Sequence, residues 1–78
     1  NWINLEGANP VQDELQWSTN IEDNYSLAIY NLLGKPLLNQ NFEGSPMATV
    51  KLADLPAGAY FAVYTSNNKV QTLKFIKA

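Results

Sequence analysis

The 78-residue sequence contains no cysteine, no histidine and no arginine. Without cysteine the chain cannot form a disulfide, and without cysteine and histidine it cannot build the usual tetrahedral zinc site. The same absences exclude a Ser-His relay and a thiolate nucleophile. The sequence therefore predicts a domain that is stabilised by packing of its 46% hydrophobic residues, needs no cofactor or metal, and is not an enzyme.

The charge is low and slightly acidic, because five lysines stand against seven carboxylates and give a net charge of -2. Nucleic-acid binding needs clustered basic side chains, so this balance predicts no DNA or RNA partner. No apolar run approaches the roughly 18 residues of a membrane-spanning helix, and the first residues do not resemble a signal peptide. The sequence begins with Asn1 and not with an initiating Met, so we expect a single domain, residues 1–78, cut from a larger precursor.

Helical periodicity is not sustained anywhere, whereas short apolar runs bounded by Pro, Gly, Asn and Asp recur along the chain. A spacing of roughly 8–12 residues between such runs is typical of an all-β sandwich. We therefore predict a seven-stranded, immunoglobulin-like antiparallel β-sandwich. The predicted strands are Trp2–Leu5, Glu14–Ser18, Tyr25–Tyr30, Leu37–Phe42, Thr49–Leu52, Ala59–Ser66 and Lys69–Ile76.

The last two predicted strands form a hairpin around Asn67-Asn68, since Asn tolerates the left-handed backbone that a type I′ turn requires. A two-residue turn puts Ser66 opposite Lys69. Of the two faces, the one that carries Tyr60 and Phe75 is predicted to be core. The Tyr60 ring can then be buried while its hydroxyl returns to the backbone of the preceding turn.

The opposite face of this hairpin is unusually apolar for a solvated surface. It carries Phe61, Val63, Val70 and Ile76 beside Lys74. One interpretation is that a loop or a neighbouring domain covers this face, and the other is that it is a docking surface. A slip of the register by one residue would exchange the two faces.

Two other groups of residues offer alternative sites. The carboxylate pairs Asp13-Glu14 and Glu22-Asp23 fit solvated loops, with calcium binding as the alternative interpretation. The aromatic residues fit either core positions or a platform for sugar rings. Among Trp2, Trp17, Tyr25 and Tyr30, we predict a core position for Trp17, leave Trp2 open between core and surface, and take Tyr30 as the better candidate for a surface aromatic.

Four motifs in order resemble one protein family over most of the chain. "ANPVQDELQW" resembles its opening Pro-Asn-Pro turn, "YSLAIYNLLGKPLL" its strand and glycine turn, "LADLPAGAY" its Gly-x-Tyr step, and "VQTLKFIKA" its basic terminal strand. The family is the type A C-terminal sorting domain of proteins that Bacteroidota export by type IX secretion. The matching motif residues are Asn9, Pro10, Gly34, Leu55, Gly58 and Tyr60, with Ala8 where the family usually has a first proline.

This resemblance implies that the terminal hairpin is read by the outer-membrane translocon and its shuttle proteins. It also implies a route through the periplasm to the outer-membrane surface or the medium, and removal of the domain by a sortase-like cysteine peptidase. The residues that this implies for sorting or docking are Lys74, Phe75, Ile76, Lys77, Ala78, Phe61, Val63 and Val70.

Two other functions stay open on the residues alone. An immunoglobulin-like adhesion or carbohydrate-binding module would use the surface aromatics, and a structural terminal domain would use whichever face meets its neighbour. An exposed strand edge beside the apolar face also predicts a homodimer.

Overall fold

A computed structural model describes residues 2–6, 11–44, 46–52 and 54–78 of the chain. Its secondary structure consists of strands and turns, as the spacing of the apolar runs predicts. The strands are β1 (Ile3–Glu6), β2 (Glu14–Thr19), β3 (Tyr25–Asn31), β4 (Pro36–Phe42), β5 (Met47–Lys51), β6 (Gly58–Ser66) and β7 (Lys69–Lys77).

The seven strands form two sheets that face each other. The smaller sheet has the order β1-β2-β5, the larger has the order β4-β3-β6-β7, and every strand pair is antiparallel. This arrangement confirms the immunoglobulin-like β-sandwich. Each predicted strand is present, and every boundary agrees to within two residues.

Alternation of apolar and polar residues defines the inner face of each sheet. In β2, the buried residues Leu15 and Trp17 alternate with the exposed residues Glu14 and Gln16. In β3, Leu27 and Ile29 are buried as predicted. Side chains two residues apart share one face of a strand, so both sheets turn an apolar face inward. The largest fully buried side chains are Trp17, Tyr64, Phe75, Leu15, Leu27, Ile29 and Leu52.

Aromatic rings occupy the centre of this core. Trp17 contacts Tyr64 and Phe42 edge to face, with ring centroids 5.2 and 5.0 Å apart. The indole Nε1 of Trp17 donates a hydrogen bond of 2.8 Å to the hydroxyl of Tyr25. This bond crosses from the smaller sheet to the larger one, and it pairs two polar atoms that burial would otherwise leave without a partner.

Val11 connects the two sheets at the end of β7. Its N–H donates to the carbonyl of Ile76 at 2.7 Å, and its carbonyl accepts from the N–H of Ala78 at 2.8 Å. These bonds form a parallel bridge between Val11 and Lys77, beside an otherwise antiparallel sheet. The segment before β2 therefore pairs with the outer edge of β7 at the C-terminus.

Candidate docking surface

The β6–β7 hairpin is the element that carries most of the residues implied in sorting. Its turn residues Asn67 and Asn68 both have positive φ, 48° and 68°, as a type I′ turn requires. Ser66 pairs with Lys69 and Tyr60 pairs with Phe75, so the predicted register is confirmed. The hairpin thus divides into the two faces expected from the sequence.

The core face of the hairpin is held by Tyr60. Its ring stacks on that of Phe75 with centroids 5.7 Å apart, and its hydroxyl donates a hydrogen bond to the carbonyl of Pro56. This bond returns the tyrosine to the turn that precedes its own strand, which confirms the predicted geometry. Leu55 packs partly buried against the same core.

The motif glycines have the backbone that the motifs require. Gly34 in the β3–β4 turn has φ of +85°, and Gly58 at the start of β6 has φ of +153°. A side chain at either position would be strained, because L residues rarely adopt these angles. Asn9 and Pro10, which carry the first motif, lie outside the described residues.

The outer face of the hairpin presents apolar side chains and one lysine to solvent. Phe61 and Val63 are half-buried, whereas Val70, Ile76 and Lys74 are exposed. Lys74 lies directly opposite Phe61 in the β6–β7 register. We call the set Phe61, Val63, Val70, Lys74 and Ile76 the hairpin face.

Two residues grouped with the docking set are instead buried. Phe75 has no exposed surface, and Lys77 retains 8%. Both share the inward side of β7, because alternate residues of a strand point to the same face. Both side chains therefore pack on the inner side of the folded sandwich and leave little surface for a partner.

Ala78 is tied into the fold although it is the last residue. Its N–H is bonded to Val11, and this pairing closes the C-terminal end of the β7 edge. An edge that is already paired offers no backbone groups to another strand. Strand addition at this end of β7 therefore cannot occur unless Val11 is displaced.

The remaining candidates do not converge on a common site. Trp17 is buried in the core as predicted, Tyr25 is buried beside it, and Tyr30 is half-buried on the outer face of the larger sheet. Trp2 is exposed just before β1, in the other sheet. Surface aromatics on separate sheets do not form one platform for a sugar ring.

The acidic pairs are solvent-exposed, and within the described ranges no three His, Cys, Asp or Glu side chains cluster as metal ligands would. Asp23 accepts a hydrogen bond of 2.8 Å from the side-chain amide of Asn67, which supports the hairpin turn. The described part of the chain also holds no helix with the length and apolarity to cross a membrane.

A pocket of about 340 Å³, which we call the seam pocket, opens between β1 and β7 where the two sheets meet. Its walls include Ile3, Val70 and Gln71, and the Gln71 amide donates to the Ile3 carbonyl at 3.3 Å. Tyr64 also lines it, and the buried Tyr64 hydroxyl has no hydrogen-bond partner among the described residues. Burial, and to a lesser degree the nearby Tyr25, raises the pKa of Tyr64 well above its ordinary value.

Sequence reasoning missed a second depression, on the outer face of the larger sheet. It measures about 290 Å³ and lies between the hairpin face and the β3–β4 turn. The available signal was the Leu32-Leu33 pair, which places two large apolar side chains in a turn. This signal could not locate the depression from the sequence alone, because the depression forms only when β3 pairs with β6.

The sequence model of one protein family matches residues 9–78, and that family is described as the secretion system C-terminal sorting domain. The match covers both sheets except β1. No curated protein matches the chain.

Proposed function

Because the chain belongs to the family of secretion system C-terminal sorting domains, which direct export across the outer membrane by type IX secretion, we propose that the hairpin face is its recognition surface. A domain that is recognised after folding must present its signal on side chains that are exposed in the fold. The observation that supports this proposal is the apolar outer face of β6 and β7, with Lys74 opposite Phe61.

In this proposal the exposed and buried residues of the terminal strand have different tasks. Val70, Lys74 and Ile76 contact the outer-membrane translocon and its shuttle proteins, together with Phe61 and Val63. Phe75 and Lys77 keep β7 in register by packing against the core. Ala78 holds the end of the strand in place through its bond to Val11.

We also propose the route and the processing step that the family resemblance implies. Residues 1–78 form the C-terminal domain of a larger precursor that crosses the periplasm and reaches the outer-membrane surface or the medium. A sortase-like cysteine peptidase removes the domain. Peptidases cleave extended, unpaired chain, and β1 is hydrogen-bonded to β2 from Ile3 onward. We therefore propose a cleavage point before β1, near or upstream of Asn1.

The test is export of the full precursor from a host with type IX secretion, with substitutions that spare the core. The double variant Val70→Ser/Lys74→Glu changes two exposed residues of the hairpin face, of which Val70 also borders the seam pocket. Val70 is 64% exposed and Lys74 is exposed, so stability should change by no more than about 0.5 kcal/mol per site. We expect surface delivery to fall at least several-fold, with folded precursor accumulating in the periplasm.

Met47→Ser/Lys51→Glu is the matched control. Met47 is also 64% exposed and Lys51 is exposed, but both belong to β5 in the smaller sheet. This control should be exported like the unaltered precursor. Equal export of the two double variants would contradict the assignment of recognition to the hairpin face, and would favour a face that only packs on a neighbouring domain.

A further inference from the structure

The depression beside the hairpin face is shallow and open, and its walls are apolar. Its lining includes Tyr30, Leu32, Phe61 and Val63, with the Gly34 backbone and Thr72 at its margins. Tyr30 pairs with Phe61 across the β3–β6 register, so the two rings come from neighbouring strands. We call this depression the turn groove. A concave apolar site of this kind suits a side chain better than a flat surface does.

The wall that Leu32 contributes is held in place by Asn31. The Asn31 side-chain oxygen accepts hydrogen bonds from the N–H groups of Leu33 and Lys35, at 2.9 and 3.0 Å. The Asn31 carbonyl accepts a third bond, of 3.0 Å, from the N–H of Gly34. Asn side chains that bond to following backbone amides fix turns in this way. The groove is therefore formed before any partner arrives, which lowers the entropy cost of binding.

The two turn leucines differ in a way that separates a groove from a membrane anchor. Leu32 is 59% exposed and lines the groove, whereas Leu33 is 93% exposed and does not line it. A lipid surface would take up the more protruding Leu33. A side chain that enters the groove would contact Leu32 instead.

The charge around the groove selects the kind of segment that fits. The strands β3, β4, β6 and β7 contain no Asp or Glu, although the chain has seven carboxylates. Lys74 lies opposite Phe61, and Lys35 directly follows Gly34. Two lysines are thus direct neighbours of groove residues, and the strands that form its floor carry no acidic side chain. Such a field attracts carboxylates and disfavours a basic segment.

We propose that the turn groove docks an extended segment of a partner protein whose apolar side chains are flanked by acidic residues. The apolar side chains enter between Leu32 and Phe61, and the flanking carboxylates face Lys35 and Lys74. The identification of the partner as a component of the export machinery rests on the proposed function. The binding chemistry does not, because it follows from the groove itself.

The binding test uses the 78-residue chain and three synthetic peptides that share a Phe-Val-Leu centre. The centre is flanked on both sides by glutamates, by lysines or by serines, and binding is followed by amide chemical shifts. We expect shifts at Gly34, Phe61 and Val63, and at least tenfold tighter binding of the glutamate peptide than of the lysine peptide. Shifts confined to the seam pocket, equal affinities, or no binding of the glutamate peptide would overturn the proposal.

Two adjacent substitutions provide a matched pair of variants. Leu32→Ser should weaken binding of the glutamate peptide about tenfold, whereas Leu33→Ser should leave it unchanged. Lys74→Gln should reduce the preference for glutamate over serine, and Lys51→Gln on the smaller sheet should not. If anionic vesicles bind in place of the peptides, and Leu33→Ser abolishes that binding, the groove is not a peptide site and the proposal fails.

The two proposals can fail independently. If the hairpin-face variant blocks export while the glutamate peptide does not bind, only the inference about the turn groove is overturned. If the peptide binds with the expected preference while the hairpin-face variant is exported normally, the groove stands as a docking site and the recognition role of the hairpin face fails.

Discussion

At the scale of single residues, two buried tyrosines make opposite contributions to the core. The hydroxyl of Tyr25 accepts a hydrogen bond from Trp17, whereas the hydroxyl of Tyr64 has no partner among the described residues. A buried polar atom without a partner costs free energy because it has lost its bonds to water. The tyrosine hydroxyl therefore stabilises the fold at position 25 and destabilises it at position 64.

We predict that Tyr64→Phe raises the free energy of unfolding by about 1 kcal/mol, because it removes the unpaired hydroxyl and keeps the ring. Tyr25→Phe should instead lower it by about 1–2 kcal/mol, because the Trp17 N–H then becomes unpaired. Chemical denaturation of both variants measures the difference. A larger loss for Tyr64→Phe than for Tyr25→Phe would contradict the assignment.

The raised pKa of Tyr64 also makes the stability of the fold depend on pH in the alkaline range. The folded chain keeps this hydroxyl protonated at pH values where the unfolded chain releases the proton. Ionisation of Tyr64 therefore leaves the stability of the fold unchanged below about pH 10, the ordinary pKa of tyrosine, and lowers it as the pH rises further. Part of the alkaline loss of stability should be absent in Tyr64→Phe.

Residue type and register disagree at Lys77. A lysine two positions after Phe75 is expected at the surface by its type, because lysine is rarely buried. The register that the Asn-Asn turn predicts places it on the core side of β7, and the structure agrees with the register. The inward position of this side chain could thus have been read from the sequence.

At the scale of secondary structure, local sequence signals were sufficient to predict strand pairing where the paired strands are adjacent in the chain. The β6–β7 hairpin follows from a two-residue turn and from alternation, and both were available in the sequence. The turn groove and the bond from Val11 to the C-terminus were not available. Each depends on strands that are distant in the chain, and alternation within a strand does not say which strand is its neighbour.

The Asn67-Asn68 turn yields a prediction at this scale. Asn68→Gly should stabilise the hairpin by several tenths of a kcal/mol to about 1 kcal/mol, because Gly adopts φ of +68° without strain. Asn68→Val should destabilise it by about 1–3 kcal/mol, because a β-branched residue is strained there. Thermal unfolding compares the two variants.

Asn67→Gly is the control for backbone effects. It also relieves positive φ, but it removes the hydrogen bond from Asn67 to Asp23. We therefore expect a smaller gain than for Asn68→Gly. A gain of equal size at both positions would show that the bond to Asp23 contributes nothing to stability.

At the scale of the whole molecule, the C-terminus is part of the fold. Terminal residues usually fray, and their amides exchange rapidly with solvent. Here the N–H of Ala78 is bonded to Val11, and Phe75 is fully buried three residues earlier. Removing the last five residues would therefore take away core packing together with any export signal, so such a truncation cannot separate folding from sorting.

We predict that the Ala78 amide is protected from hydrogen exchange. Val11→Pro should weaken this protection, because it removes the Val11 N–H, the donor of one of the two bonds that hold the bridge, at a cost of about 1–3 kcal/mol. Val11→Ala is the control, since it loses side-chain packing but keeps both backbone bonds. Rapid exchange at Ala78 in the unaltered chain would show that the bridge is not maintained in solution.

The bridge between Val11 and the end of β7 also determines how the chain responds to a pulling force. The two strands run parallel, so traction between the upstream segment and the C-terminus acts along them in opposite directions. Both hydrogen bonds of Val11 then bear the load at the same time, in shear, instead of opening one after the other as in an antiparallel hairpin pulled from its open end. The end of the terminal strand is therefore held by a contact that resists such a force better than the open end of a hairpin would.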